Sequence, residues 1–188
     1  MCMYKIIWLD GASGVGKTTV ANFLTNEIMK HGLTVDNADS DYYYQKKYLS
    51  NPNIDQSKIK SPWADECFLK YFKRQLVLLC EKNDIIVAQM ALTDDKCRKI
   101  LLETLGEIVE IKHVILNASE RTIKDRLKER AAKGADQRQA LERLSWNMAY
   151  LNKYYKEDTW INTEEKSAEN VADEIFSMIE KSRLQKYT

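Results

Sequence analysis

Apolar residues along this chain follow two rhythms. Apolar runs at residues 5–9, 33–36, 85–90, 111–116 and, more weakly, 159–161 are short and rich in strand formers. They read as buried strands. Between them, apolar positions recur at helical spacing over residues 18–31, 64–81, 94–105, 120–132, 137–154 and 168–182. In the first helix Val20, Phe23, Leu24 and Ile28 share a face, and Gly32 marks the stop. Thr93 before "DDK", Ser119 before "ERT" and Ser167 before "AEN" are the expected helix caps. Strand and helix alternate, which argues for an α/β fold whose parallel sheet is covered on both faces.

Two segments break the rhythm. Residues 42–63 hold both prolines, Pro52 and Pro62, and are dense in tyrosine. Residues 131–139, "AAKGADQRQ", are small and polar around Gly134. If the protein binds phosphate, the first is the expected acceptor-side insertion and the second the expected lid.

Composition narrows the class. A chain of 188 residues supports one well-buried domain, expected here over 1–188. Its net charge of +1 gives no footprint for nucleic acid. Four cysteines (Cys2, Cys67, Cys80, Cys97) form no C-x-x-C pair, and the histidines are only His31 and His113. Reduced thiols in the cytoplasm are the better expectation than zinc ligands. No apolar run is long enough to span a bilayer. The pattern does not choose between a monomer and a homodimer.

The chemistry is carried by "LDGASGVGKTTVANFL", residues 9–24. Gly11, Gly16, Lys17 and Thr18 fit G-x-x-x-x-G-K-[ST] between an expected strand and an expected helix. Glycines let the backbone of Gly11, Ala12, Ser13, Gly14, Val15 and Gly16 turn its N–H groups inward, with Thr19 following in the helix. The helix N-terminus adds positive character, Lys17 brings a mobile cation for the β- and γ-phosphates, and Thr18 brings a hydroxyl for Mg²⁺. ATP and Mg²⁺ are therefore the expected cofactors.

The same motif serves many activities. The third apolar run ends in Gln89 and Met90 rather than consecutive acids, which counts against a motor or AAA-type ATPase. "ILNASE" lacks the Asn-Lys-x-Asp of a GTPase. Acids appear instead in "NADSDYYYQ", where Asp39 and Asp41 would share one face of an extended segment. Asp39 is the expected metal partner through water, and Asp41 the expected base for an incoming hydroxyl. Ordinary turn chemistry is the alternative for both.

"GASGVGKTT" followed by "DSD" resembles the small-molecule kinases that phosphorylate shikimate and gluconate, and "KDRLKERAAKGAD" is similar to the helix and lid of nucleotide kinases. "IIWLDGASGVGKT", "IIVAQMALTD" and "WINTEEKSAENVADEI" resemble the tunicamycin-resistance type of ATP-binding protein. The resemblance implies a three-layer α/β/α fold with a five-stranded parallel sheet. It implies that Arg126 and Arg130 reach the nucleotide, that Arg138 and Arg143 are lid arginines, and that Asn162 and Thr163 pass the adenine. The helix around Arg126 also reads as an ordinary charged solvated face. Where nucleoside monophosphate kinases carry Asp-Gly-Phe-Pro-Arg, this chain reads "AQMALTDD", so a phosphorylated nucleotide acceptor is disfavoured and an uncharged or amphipathic one favoured.

The expected activity is transfer of the γ-phosphoryl group of ATP to a hydroxyl of a nucleoside-, sugar- or antibiotic-like molecule. Lys17, Asp41 and Arg130 would carry it, with Tyr42, Trp63, Gln89 and Arg138 toward the acceptor. The alternative is an ATP-dependent drug-binding protein of the tunicamycin-resistance type, without transfer.

Overall fold

The computed structural model describes residues 4–55 and 61–184. Its centre is a five-stranded parallel sheet in the order β2-β3-β1-β4-β5. The strands are β1 (Ile6–Asp10), β2 (Val35–Asp39), β3 (Ile85–Gln89), β4 (Ile111–Asn117) and β5 (Thr159–Asn162). The chain leaves β1 in one direction and returns beside it as β4 in the other. The crevice at such a reversal, beyond the carboxyl ends of the strands, is where open α/β sheets bind ligands.

Helices cover both faces. On one lie α1 (Lys17–Lys30) and α7 (Ala168–Leu184), which pack Val20, Leu24, Ile28 and Ile175 against Ile7 and Leu9. On the other, α3 (Glu66–Lys82) sets Phe68, Phe72 and Leu76 against Ile6 and Trp8. β1 is therefore apolar at Ile6, Ile7, Trp8 and Leu9 because alternate residues feed two cores. Trp8 satisfies its indole by donating to the Met90 carbonyl at 3.2 Å.

β2 differs from its expected bounds. The apolar residues Leu33 and Val35 put it at 33–36, but it runs Val35–Asp39. As an edge strand it buries only half of itself and tolerates Asp36 and Asn37, so hydropathy alone misplaces it.

Of the insertion expected over residues 42–63, residues 56–60 lie outside the described residues, and the rest is not simply a loop. α2 begins as α-helix at Ser40–Tyr42 and continues as a π-helix over Tyr43–Tyr48. It packs Tyr44 and Tyr48 against Phe68 at ring separations of 4.8 and 5.4 Å. A short 3-10 turn, Pro62–Ala64, leads into α3. α4 covers Asp95–Arg98, passes through a π-helical stretch at Lys99–Glu103 and closes at Thr104–Gly106. Its cap is Asp94, which accepts from Lys96 N at 2.8 Å, and not Thr93. Ser119 and Ser167 do cap their helices, accepting from Thr122 N and Asn170 N. α5 (Glu120–Ala132) and α6 (Arg138–Tyr154) flank the segment around Gly134. Among the described residues no helix is long and apolar enough to cross a membrane.

Candidate functional site

The turn after β1 has the backbone its sequence demands. Gly11 and Gly14 have φ of 133° and 90°, where side-chain-bearing residues are strained. Space forbids a side chain as well. A Cβ on Gly11 would lie 2.5 Å from the Leu116 carbonyl oxygen, and one on Gly14 2.8 Å from the Leu127 Cγ.

α1 then starts at Lys17 with Gly16 as its N-cap and no side chain closing that end. The amides of residues 16–19 accordingly have no backbone partner among the described residues. No acid stands in the first turn of α1. Lys17 folds back, donating to Gly11 O at 2.6 Å and Ala12 O at 3.3 Å. Burial holds its ammonium below the ordinary lysine value, against the opposing charges of Asp10, Asp41 and Asp39. A ring of open N–H groups around a cation parked on its own loop fits a polyphosphate.

Three cavities run along the carboxyl edge of the sheet. The first, of about 290 Å³, is lined by Gly14, Val15, Gly16, Thr19, Arg126, Arg130 and Thr163. The second, of about 150 Å³, lies beside Ser13, Lys17, Thr18, Asp39, Asp41, Trp63 and Gln89. The third, of about 510 Å³, shares Ser13, Asp41 and Trp63 with the second and opens toward α6 and residues 136–140.

Asp39 ends β2 and caps α2, its Oδ1 accepting from Asp41 N at 2.8 Å. Asp41 is therefore on the first turn of a helix, and the expected extended face for the pair does not exist. The two carboxylates still border one cavity, because the cap turns the chain there. Loss of surrounding water raises the Asp41 carboxyl above its ordinary value, the Asp39 charge adds to this, and Lys17 opposes it. Asp41 keeps exposed surface, so this is the effect of a concave corner rather than of full burial. Among the described residues no cluster of three metal-ligating side chains occurs. Thr18 and Asp39 beside a polyphosphate site fit Mg²⁺, which keeps waters and shares phosphate oxygens.

Arg126 does more than line the first cavity. Its guanidinium donates to Val15 O and Thr163 O at 3.1 Å each and to Thr163 Oγ1 at 3.2 Å, tying the loop to the turn after β5. Arg130 lines the same cavity without a hydrogen bond or ion pair from its side chain among the described residues. Gln89 borders the second cavity and donates to Asn37 Oδ1 at 2.8 Å.

Three expected contacts lie elsewhere. Asn162 is exposed, and its Oδ1 accepts from Glu164 N at 2.8 Å, closing the turn rather than lining a cavity. Tyr42 is 51% exposed and packs against Tyr43, because α2 rotates it outward and brings Tyr44 to the third cavity instead. Arg138 points to solvent and pairs with Asp136 at 2.8 Å, while Gln137 and Gln139 line the cavity.

Arg143, an expected lid arginine, lies on α6 among residues that no motif marks. Arg143 lies over the Trp63 ring at 4.7 Å and lines the third cavity with Thr93 and Asn147. Asp10 is fully buried behind the phosphate loop. Its Oδ1 accepts from Gly11 N at 2.6 Å and Leu92 N at 3.0 Å, and its Oδ2 lies 3.0 Å from His113 Nε2. His113 Nδ1 is 3.1 Å from Asp158 Oδ1, out of line for a hydrogen bond. Burial works against the imidazolium, yet the two carboxylates hold its pKa up to about 9. A buried acid directly before the first glycine is the only sequence signal for this support.

Known proteins place the fold. The tunicamycin resistance protein of Deinococcus radiodurans superposes with a TM-score of 0.68 at 17% identity, covering 94% of this chain and 95% of that one. A gluconokinase from Sinorhizobium meliloti gives 0.63 at 13% identity, with 100% and 98% covered. A shikimate kinase from Acinetobacter baumannii gives 0.62 at 19% identity, with 96% of each covered. No curated protein matches the chain by sequence. A family model described as AAA domain matches residues 6–150. That match overrides the weight given to the missing acids after β3. Asp39 stands in register with Gln89 one strand over, so an acid does reach that edge from β2. With a five-stranded parallel sheet, the kinase-like phosphate loop and this match over most of its length, the chain belongs to the AAA domain family.

Proposed function

We propose that this protein transfers the γ-phosphoryl group of ATP to a hydroxyl of a small molecule. The observation that carries the reading is the placement of Asp41 and Trp63 on both the Lys17–Thr18 cavity and the larger one beside it. A phosphate held by the loop would then end where an acceptor begins.

Thr18 and, through water, Asp39 would hold Mg²⁺, which would supply charge neutralisation at the phosphates. The amides of residues 16–19 and the Lys17 ammonium, released from Gly11 O and Ala12 O, hold the leaving phosphates. The adenine sits in the first cavity, beside the linked Arg126 and Thr163. Residues 131–139 act as a lid over the single domain's site, and Arg130 meets the charge that grows on the transferring group. Closure excludes water, whose attack is the competing reaction. Asp41 orients the acceptor hydroxyl and takes its proton. The cytoplasm, where ATP is abundant and thiols stay reduced, suits this chemistry.

A second reading is ATP-dependent binding of a drug-like molecule without transfer; the fold likeness to a tunicamycin resistance protein favours it. The deciding experiment incubates the protein with ATP, Mg²⁺ and a panel of nucleosides, sugars, hydroxy acids and antibiotics, with mass spectrometry of the products. A gain of one phosphoryl group on an acceptor supports the kinase. An acceptor that binds only with ATP present and gains no mass decides for the second reading.

A further inference from the structure

Buried polar side chains around this site are mostly matched. Asp10, Gln89, His113 and Thr163 each have partners within the protein. Two residues of the 510 Å³ cavity do not follow this rule. Thr93 is 5% exposed, and among the described residues its hydroxyl makes no hydrogen bond, Asp94 having taken the capping role. Asn147 is 6% exposed, and its Oδ1 is buried with no partner. A buried amide left unmatched costs stability, so a protein that keeps one beside a cavity gains something there.

The other walls limit what that is. Trp63 lines the same space. Arg143 lies between Trp63 and Trp146, at 4.7 and 5.2 Å, with no carboxylate in ion-pair range among the described residues. The Asp41 and Asp136 carboxylates border the same cavity as this guanidinium, so its walls carry both signs and favour an occupant without net charge. The volume falls within the roughly 300–1,000 Å³ of small-molecule sites.

We propose that Thr93 and Asn147 recognise an uncharged polyhydroxylated ring, a sugar or cyclitol, whose hydroxyls supply the hydrogen bonds the protein leaves unmade. A hydroxyl both donates and accepts, so it satisfies a threonine hydroxyl and either end of a carboxamide, and a turn about the Asn147 Cβ–Cγ bond brings its now enclosed Oδ1 to the cavity. The apolar face of such a ring packs against Trp63. The inference rests on the phosphotransfer reading only in taking this cavity as the acceptor's.

The test reads binding, so it is separate from transfer. Protein loaded with Mg²⁺ and a non-hydrolysable ATP analogue is titrated with myo-inositol, methyl glucoside and methyl mannoside, with benzoate and benzylamine as charged comparators. At least one polyol should bind wild type. Thr93→Val, which keeps the shape, and Asn147→Leu should each weaken it roughly tenfold or more. Neither should lower Tm, because no hydrogen bond within the protein is lost. The proposal is overturned if no polyol binds, if both variants bind like wild type, or if both lower Tm by several degrees. A polyol that binds through these residues but gains no phosphate supports this subsite and sinks the phosphotransfer reading.

Discussion

Lys17 shows how one residue answers to its surroundings. Its ammonium rests on two carbonyls of its own loop, in a half-buried place that no apolar contact requires. Lys17→Ala should therefore keep the fold, with an unchanged circular dichroism spectrum, and lose ATP binding measured by calorimetry. Wild-type affinity in the variant would remove the loop from the mechanism. Asp41 is the sharper test of chemistry. Asn keeps its size but takes no proton, so Asp41→Asn should lose roughly 10²–10⁴ in kcat, about 3–5 kcal/mol of barrier. Nucleotide affinity should hold, while Asp39→Asn should raise the Mg²⁺ needed for half-activity. The Asp41 carboxyl is raised by its concave corner and by Asp39. Activity should accordingly fall with decreasing pH at values above those of an ordinary aspartate. Normal turnover by Asp41→Asn would make Asp41 a plain first-turn residue of α2.

At the scale of elements, the site depends on how α5, α6 and α2 end. α5 stops where Lys133 and Gly134 turn back onto Arg130 and Ala131, and α6 restarts at Arg138. The Asp136–Arg138 pair on this segment is exposed on both sides and adds little stability. Residues 131–139 should thus be cut by trypsin faster without nucleotide than with Mg²⁺ and an ATP analogue. Arg130→Ala should lower kcat far more than ATP affinity, since the charge it meets grows during transfer. Equal cleavage in both states, with unchanged kinetics, returns the segment to an ordinary surface loop.

Across the whole molecule, Asp10, His113 and Asp158 join β1, β4 and the chain just before β5 beneath the phosphate loop. The His113 pKa of about 9 lies above its ordinary 6.5. This contribution to stability is complete below pH 6.5 and is lost as pH rises through about 9. It amounts to roughly 3 kcal/mol. Urea unfolding between pH 6 and pH 10 should show that decline in wild type and a flatter profile in His113→Gln. The same profile in both would mean that another group titrates.

How much of this was legible beforehand follows from the range of the forces involved. Local rules are complete at the phosphate loop: glycine spacing, an apolar strand before it and a helical stripe after it need no distant partner. The same rules alternate strands with helices and so predict a parallel sheet. They misplace β2, because an edge strand lacks the continuous burial that makes apolar runs visible. They point Tyr42 inward, because the turn of α2 that chooses Tyr44 is set by packing on Phe68. Thr93 is distant in the chain from Arg143 and Asn147, which stand one helical turn apart on α6; only the docking of α6 beside Trp63 makes the three neighbours of one cavity. The support of the loop by Asp10 and His113 likewise exists only after β4 pairs with β1. Periodicity and backbone sterics act within a few residues, so they reveal the elements and the loop. Side-chain convergence is decided by layers meeting, and it is there that the acceptor's surroundings are made.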